Sequence, residues 1–188
     1  HTVTENTIIY GRLGNGFRYP NIDDRIGGSG GTSLELNTQT TKDFEIGSKF
    51  ASDNFSSNVS TYIMVGKNEL AYDTDAFENI NMNSTRRYGV ELNTRNKISD
   101  KLNLTNNFTF AKANYTSGNQ GKYAKDFNNN EVPLVPPFSL DSSVDFRISN
   151  NTRLLTSIKF QDKMRMESDD ENFQPKIPSY FTADTSLN

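Results

Sequence analysis

Hydrophobic and polar positions alternate with period two along most of the chain, the pattern of strands with two unlike faces. From Asp43 to Phe50, Phe44, Ile46 and Phe50 share one side with Ser48, while Asp43, Glu45, Gly47 and Lys49 take the other. Val59, Thr61, Ile63 and Val65 alternate with Asn58, Ser60, Tyr62 and Met64. Tyr88, Val90, Leu92 and Thr94 alternate with Arg87, Gly89, Glu91, Asn93 and Arg95. The clearest run is Phe138, Leu140, Ser142, Val144, Phe146 and Ile148, interleaved with Ser139, Asp141, Ser143, Asp145 and Arg147. Shorter matches occur at Ile9–Phe17, Leu102–Phe110, Leu154–Phe160 and Phe181–Leu187. The pattern predicts about eight strands.

Connector lengths add a second regularity. Ser52-Asp53-Asn54, Ser99-Asp100-Lys101 and Ser149-Asn150-Asn151 are short, and Asn, Asp and Ser suit tight hairpins. The connectors between them are long: about Arg18 to Thr40, Lys67 to Asn83, Thr116 to Pro137 and Arg165 to Pro178. Short and long alternate strictly. An antiparallel up-and-down transmembrane β-barrel has this form, with short periplasmic turns and long extracellular loops. Hydrocarbon cannot satisfy backbone N–H and C=O groups, so a spanning sheet closes on itself, apolar toward lipid and polar toward the lumen. The alternation then predicts Phe44, Phe50, Phe138 and Phe146 outward, with Glu45, Glu91, Asp141 and Arg147 inward.

Composition agrees. Only 33% of the 188 residues are hydrophobic, yet 13 Phe and 8 Tyr are too many aromatics for a disordered tail. Such a chain suits strands that bury one face. The net charge of -3, with both signs interspersed, gives no basic footprint for nucleic acid. There is no cysteine, and the single histidine is His1. Thiol catalysis, disulfides and Cys-based zinc sites are excluded, and a Ser–His–Asp triad has no internal histidine to use. No apolar stretch reaches the roughly 18 residues of a membrane helix. No catalytic residue, metal site or cofactor is expected. The Gly27–Gly31 run lacks a Lys-Ser/Thr ending, and Asp73-Thr74-Asp75 and Asp169-Asp170-Glu171 do not complete a calcium loop. Glu45 and Glu91 are expected in a lumenal charge network with Arg87, Arg95 or Lys49.

Five collinear stretches resemble the C-terminal part of the barrel of TonB-dependent outer-membrane receptors. "IIYGRLGNGFRYPNIDD" resembles a Tyr-bearing strand running into a Phe-Arg-x-Pro turn, carried by Phe17, Arg18 and Pro20. "LNTQTTKDFEIGSKF" resembles the next strand through Phe44, Glu45 and Gly47. The segment from Phe77 to Gly118 resembles an Asn-led strand, Gly-x-Glu, short turn and aromatic strand, through Asn79, Gly89 and Glu91. "VPLVPPFSLDSSVDFRI" matches a Pro-led strand through Pro136, and "IPSYFTADTSLN" a late Tyr-x-x-x-Asp strand through Tyr180 and Asp184. Asparagine richness and the absence of Trp depart from the family pattern.

The resemblance implies an excerpt of about eight strands from a twenty-two-stranded barrel, residues 1–188 being a partial barrel domain without plug or final strands. It implies a place in the outer membrane of a Gram-negative bacterium. Its partners would be outer-membrane lipid, the TonB complex through an N-terminal region outside this stretch, and a small nutrient. A ferric siderophore stands first on family frequency. Long loops carry function on a rigid scaffold; Tyr72, Phe77, Tyr123, Arg165 and Phe173 are therefore the candidate ligand contacts. A passive porin or adhesion barrel and a soluble all-β binding domain are the alternative readings.

Overall fold

The structure is a computed structural model that describes residues 2–26, 35–73, 77–82, 84–116 and 126–188. Its main feature is one antiparallel sheet of nine strands. In chain order the strands are β1 (Thr2–Thr4), β2 (Thr7–Arg18), β3 (Gln39–Ala51), β4 (Phe55–Lys67), β5 (Leu70–Asp73), β6 (Glu78–Asn81), β7 (Thr85–Ser99), β8 (Leu102–Tyr115), β9 (Phe138–Ser149), β10 (Thr152–Gln161) and β11 (Tyr180–Leu187). One short helix, α1 (Ile22–Ile26), follows β2. The sheet order is β1-β2-β3-β4-β7-β8-β9-β10-β11, and β5-β6 form a separate hairpin. The sheet is not closed among the described residues: β11 forms one edge, and the other is β1 at the short-turn end with the remainder of β2 beyond it.

All eight expected strands are present. Two features differ. The chain adds β1, and the connector after β4 holds the β5–β6 hairpin, so the count exceeds eight. The Phe17-Arg18-Tyr19-Pro20 stretch does not form a turn of its own: Phe17 and Arg18 complete β2. There Phe17 is exposed and meets Tyr19 edge-on, with ring centroids 5.2 Å apart.

Register explains why the alternation was so legible. Partners run in unbroken rows across the strands. Ile9, Ser48, Val59, Leu92, Phe108, Leu140, Phe160 and Phe181 form one row, apolar but for Ser48. The next row toward the long loops is Gly11, Ile46, Thr61, Val90, Phe110 and Phe138. The interleaved row Tyr10, Gly47, Ser60, Glu91, Thr109, Ser139, Gln161 and Tyr180 is polar. Because the side-chain period is two, one register holds every strand's apolar set on the same face. Phe44, Phe50, Phe138 and Phe146 lie on that face, and Glu45, Glu91, Asp141, Arg147 and Asp184 on the other.

The polar face is knitted by cross-strand ion pairs: Arg12 with Asp43 (2.9 Å) and Glu45 (3.3 Å), Arg153 with Asp145 (2.7 Å), and Lys159 with Asp141 (3.4 Å). The expected partners of Glu45 are thus corrected. Arg12 and the Tyr10 hydroxyl (2.9 Å) hold its carboxylate, Lys49 lies 5.3 Å from the Tyr10 ring centroid, and Arg87 pairs with Glu69 instead. These choices follow from which strand lies beside which, and period two alone carries no such information.

Two glycines admit tyrosines on this face. Gly47 stands opposite Tyr10 and Gly89 opposite Tyr62. A Cβ on Gly47 would sit 2.5 Å from the Tyr10 ring end, and one on Gly89 would meet both Tyr62 and the backbone carbonyl of Phe110. A ring near the sheet edge can swing away, whereas a central-strand carbonyl cannot. Gly89→Ala is therefore expected to cost about 1–3 kcal/mol by overpacking, and Gly47→Ala less. Denaturant midpoints of the two variants in the full-length protein check the order, and equal shifts would contradict it.

Candidate ligand-binding site

The short turns all fall at one end of the sheet and the long connectors at the other. At the long-connector end, side chains take over from the backbone ladder. Asn21 and Asp24 cap α1 reciprocally, the Asn21 oxygen accepting from Asp24 N (2.7 Å) and the Asp24 carboxylate from Asn21 N (2.9 Å). Arg18 donates to both Asp24 oxygens (2.8 and 2.9 Å). Asn79, on β6, donates to the Asp24 carbonyl (2.9 Å). Asn81 accepts from Asn37 N (2.6 Å) and donates to the carbonyls of Asn37 and Asn68 (3.0 Å each). The first and second connectors are thereby tied together. The asparagine excess has a structural use here: a side-chain amide presents the same donor and acceptor as a peptide group, where no strand can.

The last two connectors are tied in the same way. Residues 129–132 run back along the end of β8, with Val132 N donating to the Ala113 carbonyl (3.0 Å) and Tyr115 N to that of Asn130 (3.0 Å). Asn172, at φ 58°, accepts from Glu131 N (2.7 Å) and donates to the Glu131 carbonyl (2.9 Å). The Glu131 carboxylate receives Arg165 (2.9 Å) and Lys176 (2.8 Å). Burial acts to raise its pKa, but the hydrogen bonds from these two cations outweigh it and hold the group below the usual carboxylate range. Asp169 is buried, and its Oδ1 accepts from the amides of Phe173 (3.0 Å) and Gln174 (3.1 Å) while Oδ2 faces Arg165 (3.5 Å).

Between these connectors and the β5–β6 hairpin lies a cavity of about 170 Å³. Tyr72, Asp73, Ile80 and Met82 line it from the hairpin, and Phe127, Asp170, Glu171 and Phe173 from the later connectors. The Tyr115 hydroxyl donates to Asp170 (2.5 Å) behind the wall. Burial raises the pKa of Asp170, the Tyr115 hydrogen bond opposes this, and the neighbouring Asp169 charge adds to the rise. Two of the five expected contact residues, Tyr72 and Phe173, meet at this cavity. Arg165 lies beneath, engaged by Glu131, Asp169 and the Gln174 carbonyl. Phe77 is exposed at the hairpin turn with φ 53°, away from the lining. Tyr123 lies outside the described residues, as do Gly27–Gly31 and Asp75. Asp169, Glu131 and Asn172 were not expected to matter, since nothing periodic marks a scaffold built in connectors.

The remaining motif residues are placed as follows. Glu91 faces the polar side, Pro136 precedes β9, and Tyr180 opens β11, its hydroxyl on the Gln161 side chain. Among the described residues no group of three or more metal-ligating side chains could hold an ion.

A family model described as "TonB dependent receptor-like, beta-barrel" matches residues 1–188. The chain belongs to the TonB-dependent receptor β-barrel family. Solved receptors share its fold. The ferric yersiniabactin uptake receptor FyuA from Yersinia pestis is 16% identical, with a TM-score of 0.77 over 100% of this chain and 28% of its own. The copper transporter OprC is 14% identical, with a TM-score of 0.77 over 100% and 29%. The siderophore receptor PiuA from Acinetobacter baumannii is 19% identical, with a TM-score of 0.73 over 99% and 28%. The TonB-dependent receptor chain thus spans under a third of the length of these structures. No curated protein sequence matches it. Members of the family are outer-membrane transport receptors of Gram-negative bacteria, not enzymes.

Proposed function

We propose that the full-length protein is an outer-membrane importer that captures a scarce nutrient, foremost a ferric siderophore, and admits it with energy delivered through TonB. Residues 1–188 form part of its barrel, with the plug, the TonB-contacting segment and the final strands contributed by the rest of the protein. The long connectors face the exterior, the short turns the periplasm, and the apolar rows meet lipid. The family match over the whole chain carries this reading. The convergence of three long connectors on one cavity at the exterior end supports it.

The cavity refines the cargo. Among the described residues its lining holds Asp73, Asp169, Asp170 and Glu171 with three aromatic rings, and no Lys or Arg. Coulombic complementarity in these connectors favours a neutral or cationic chelate over an anionic one. Tyr72 and Phe173 are the aromatic contacts assigned here; Phe77, Arg165 and Tyr123 are secondary. The test is iron uptake from a panel of chelates of differing charge, in cells whose only receptor is this protein. Tyr72→Ala with Phe173→Ala should weaken uptake of the preferred chelate by about tenfold or more, the scale of paired aromatic anchors. Unchanged uptake in the double variant would remove the cavity from the ligand path. Equal uptake without TonB would remove active transport.

A further inference from the structure

The apolar face carries charge of only one sign. Across β2–β4 and β7–β11 no Asp or Glu lies on it, and its only cations are Lys42, Lys67, Arg86 and Lys112. All four are exposed. All four lie at the long-connector end, on the neighbouring strands β3, β4, β7 and β8. Arg86 shares a row with Lys42, Val65 and Asn114. Lys67 lies one row farther out and Lys112 one row farther in, beside Tyr88. With strands about 4.8 Å apart and alternate residues about 6.8 Å apart, successive cations are about 8 Å from one another. The opposite end of the same face ends in Phe50, Phe55, Ile98, Leu102, Phe146 and Leu154, without charge.

We infer that this patch is a binding site for the phosphate groups of an anionic lipid headgroup in the outer leaflet. The inference rests on the barrel reading above, which sets the apolar face against lipid and the long connectors outside. A cation on a lipid-facing row costs little only at the level of the headgroups. Four cations at that level, with no carboxylate on the same face of the described strands, concentrate phosphate there, as basic clusters do at membrane surfaces. The immediate surroundings of Lys112 keep the sign. The small cavity beside Lys112 has a single lining carboxylate, Glu131, already held by Arg165 and Lys176. Val65, Ile63 and Tyr88 lie among the cations, and below them Ile46, Val90 and Phe110 continue the face into the apolar band, where acyl chains would lie.

The test uses the full-length receptor in detergent, titrated with vesicles containing bisphosphorylated lipid A or the same lipid after enzymatic dephosphorylation. Binding should fall about tenfold or more on dephosphorylation, and by a similar factor in the variant Lys42→Gln, Lys67→Gln, Arg86→Gln, Lys112→Gln. Inorganic phosphate at millimolar concentration should not compete, since the site is read from a surface-anchored ligand; full competition would make it a free-phosphate site and overturn the lipid assignment. Wild-type binding indifferent to the lipid phosphates would overturn the inference whether or not the variant folds. A spin label at Val90, in the apolar band, separates the two readings. Quenching by bilayer oxygen with no phosphate dependence rejects the headgroup site alone, and absence of quenching rejects the barrel reading with it.

Discussion

Val144→Arg is expected to destabilise the full-length barrel by about 2–4 kcal/mol, because a lipid-facing cation near the bilayer midplane cannot be hydrated. Val144 sits at the middle of β9, in the row of Asn96, Leu104, Thr156 and Thr185. Its neighbour Asp145 points the other way and pairs with Arg153 at 2.7 Å, with both side chains partly solvated. Asp145→Asn should therefore cost less than about 1 kcal/mol, the range of exposed ion pairs. Urea unfolding of both variants in detergent or lipid gives the comparison. Similar penalties at the two positions would mean that the faces do not differ in environment, and the membrane-spanning reading would fail with them.

Asp169→Ala is expected to unfasten the connector between β10 and β11. The carboxylate is buried and accepts from two backbone amides while facing Arg165. Truncation leaves both amides and the guanidinium without that acceptor, at about 2–4 kcal/mol of local stability. Asp169→Asn keeps an oxygen for the amides and loses only the charge, so it should retain most of the order. Hydrogen exchange at Phe173 and Gln174 is the readout: strong acceleration in the Ala variant, little in the Asn variant. Unaltered exchange in Asp169→Ala would show that Asn172 and Glu131 hold the connector by themselves. Because Phe173 lines the cavity, ligand capture should fall in the Ala variant with no change in global unfolding.

The sequence disclosed what has a period. Each of the eight long strands was visible, because one continuous register makes every strand repeat the same two-faced pattern. Leu70–Asp73 and Glu78–Asn81 were not, since four residues are too few to show alternation and all but Tyr72 are half-buried. Thr2–Thr4 is shorter still. Side-chain partners were equally hidden. Glu45 meets Arg12 because β2 lies beside β3, and Glu69 reaches Arg87 from the connector after β4; neither pairing follows from spacing along the chain. At the cavity, Tyr72 and Phe173 are legible as aromatics of long connectors, but their meeting depends on Asp169, Glu131 and Asn172, which look like ordinary loop polarity. Asparagine abundance was visible as a departure and became interpretable only once Asn79, Asn81 and Asn172 were seen bonding to backbone.

The sheet order also bears on how the molecule comes together. Apart from the β5–β6 excursion, each strand of the large sheet pairs only with its sequence neighbours. Four of its hairpins close over only two or three residues, β1–β2, β3–β4, β7–β8 and β9–β10. Loop-closure entropy is small for such spans and grows slowly with length. Assembly can therefore proceed as a zipper, each hairpin templating the next, with no early step that brings distant parts of the chain together. Topology of this kind places the slow event at the seam where a barrel's first and last strands join. Before that event the growing sheet carries an unpaired edge strand, the part most open to a foreign strand and the stage at which a chaperone has most to protect.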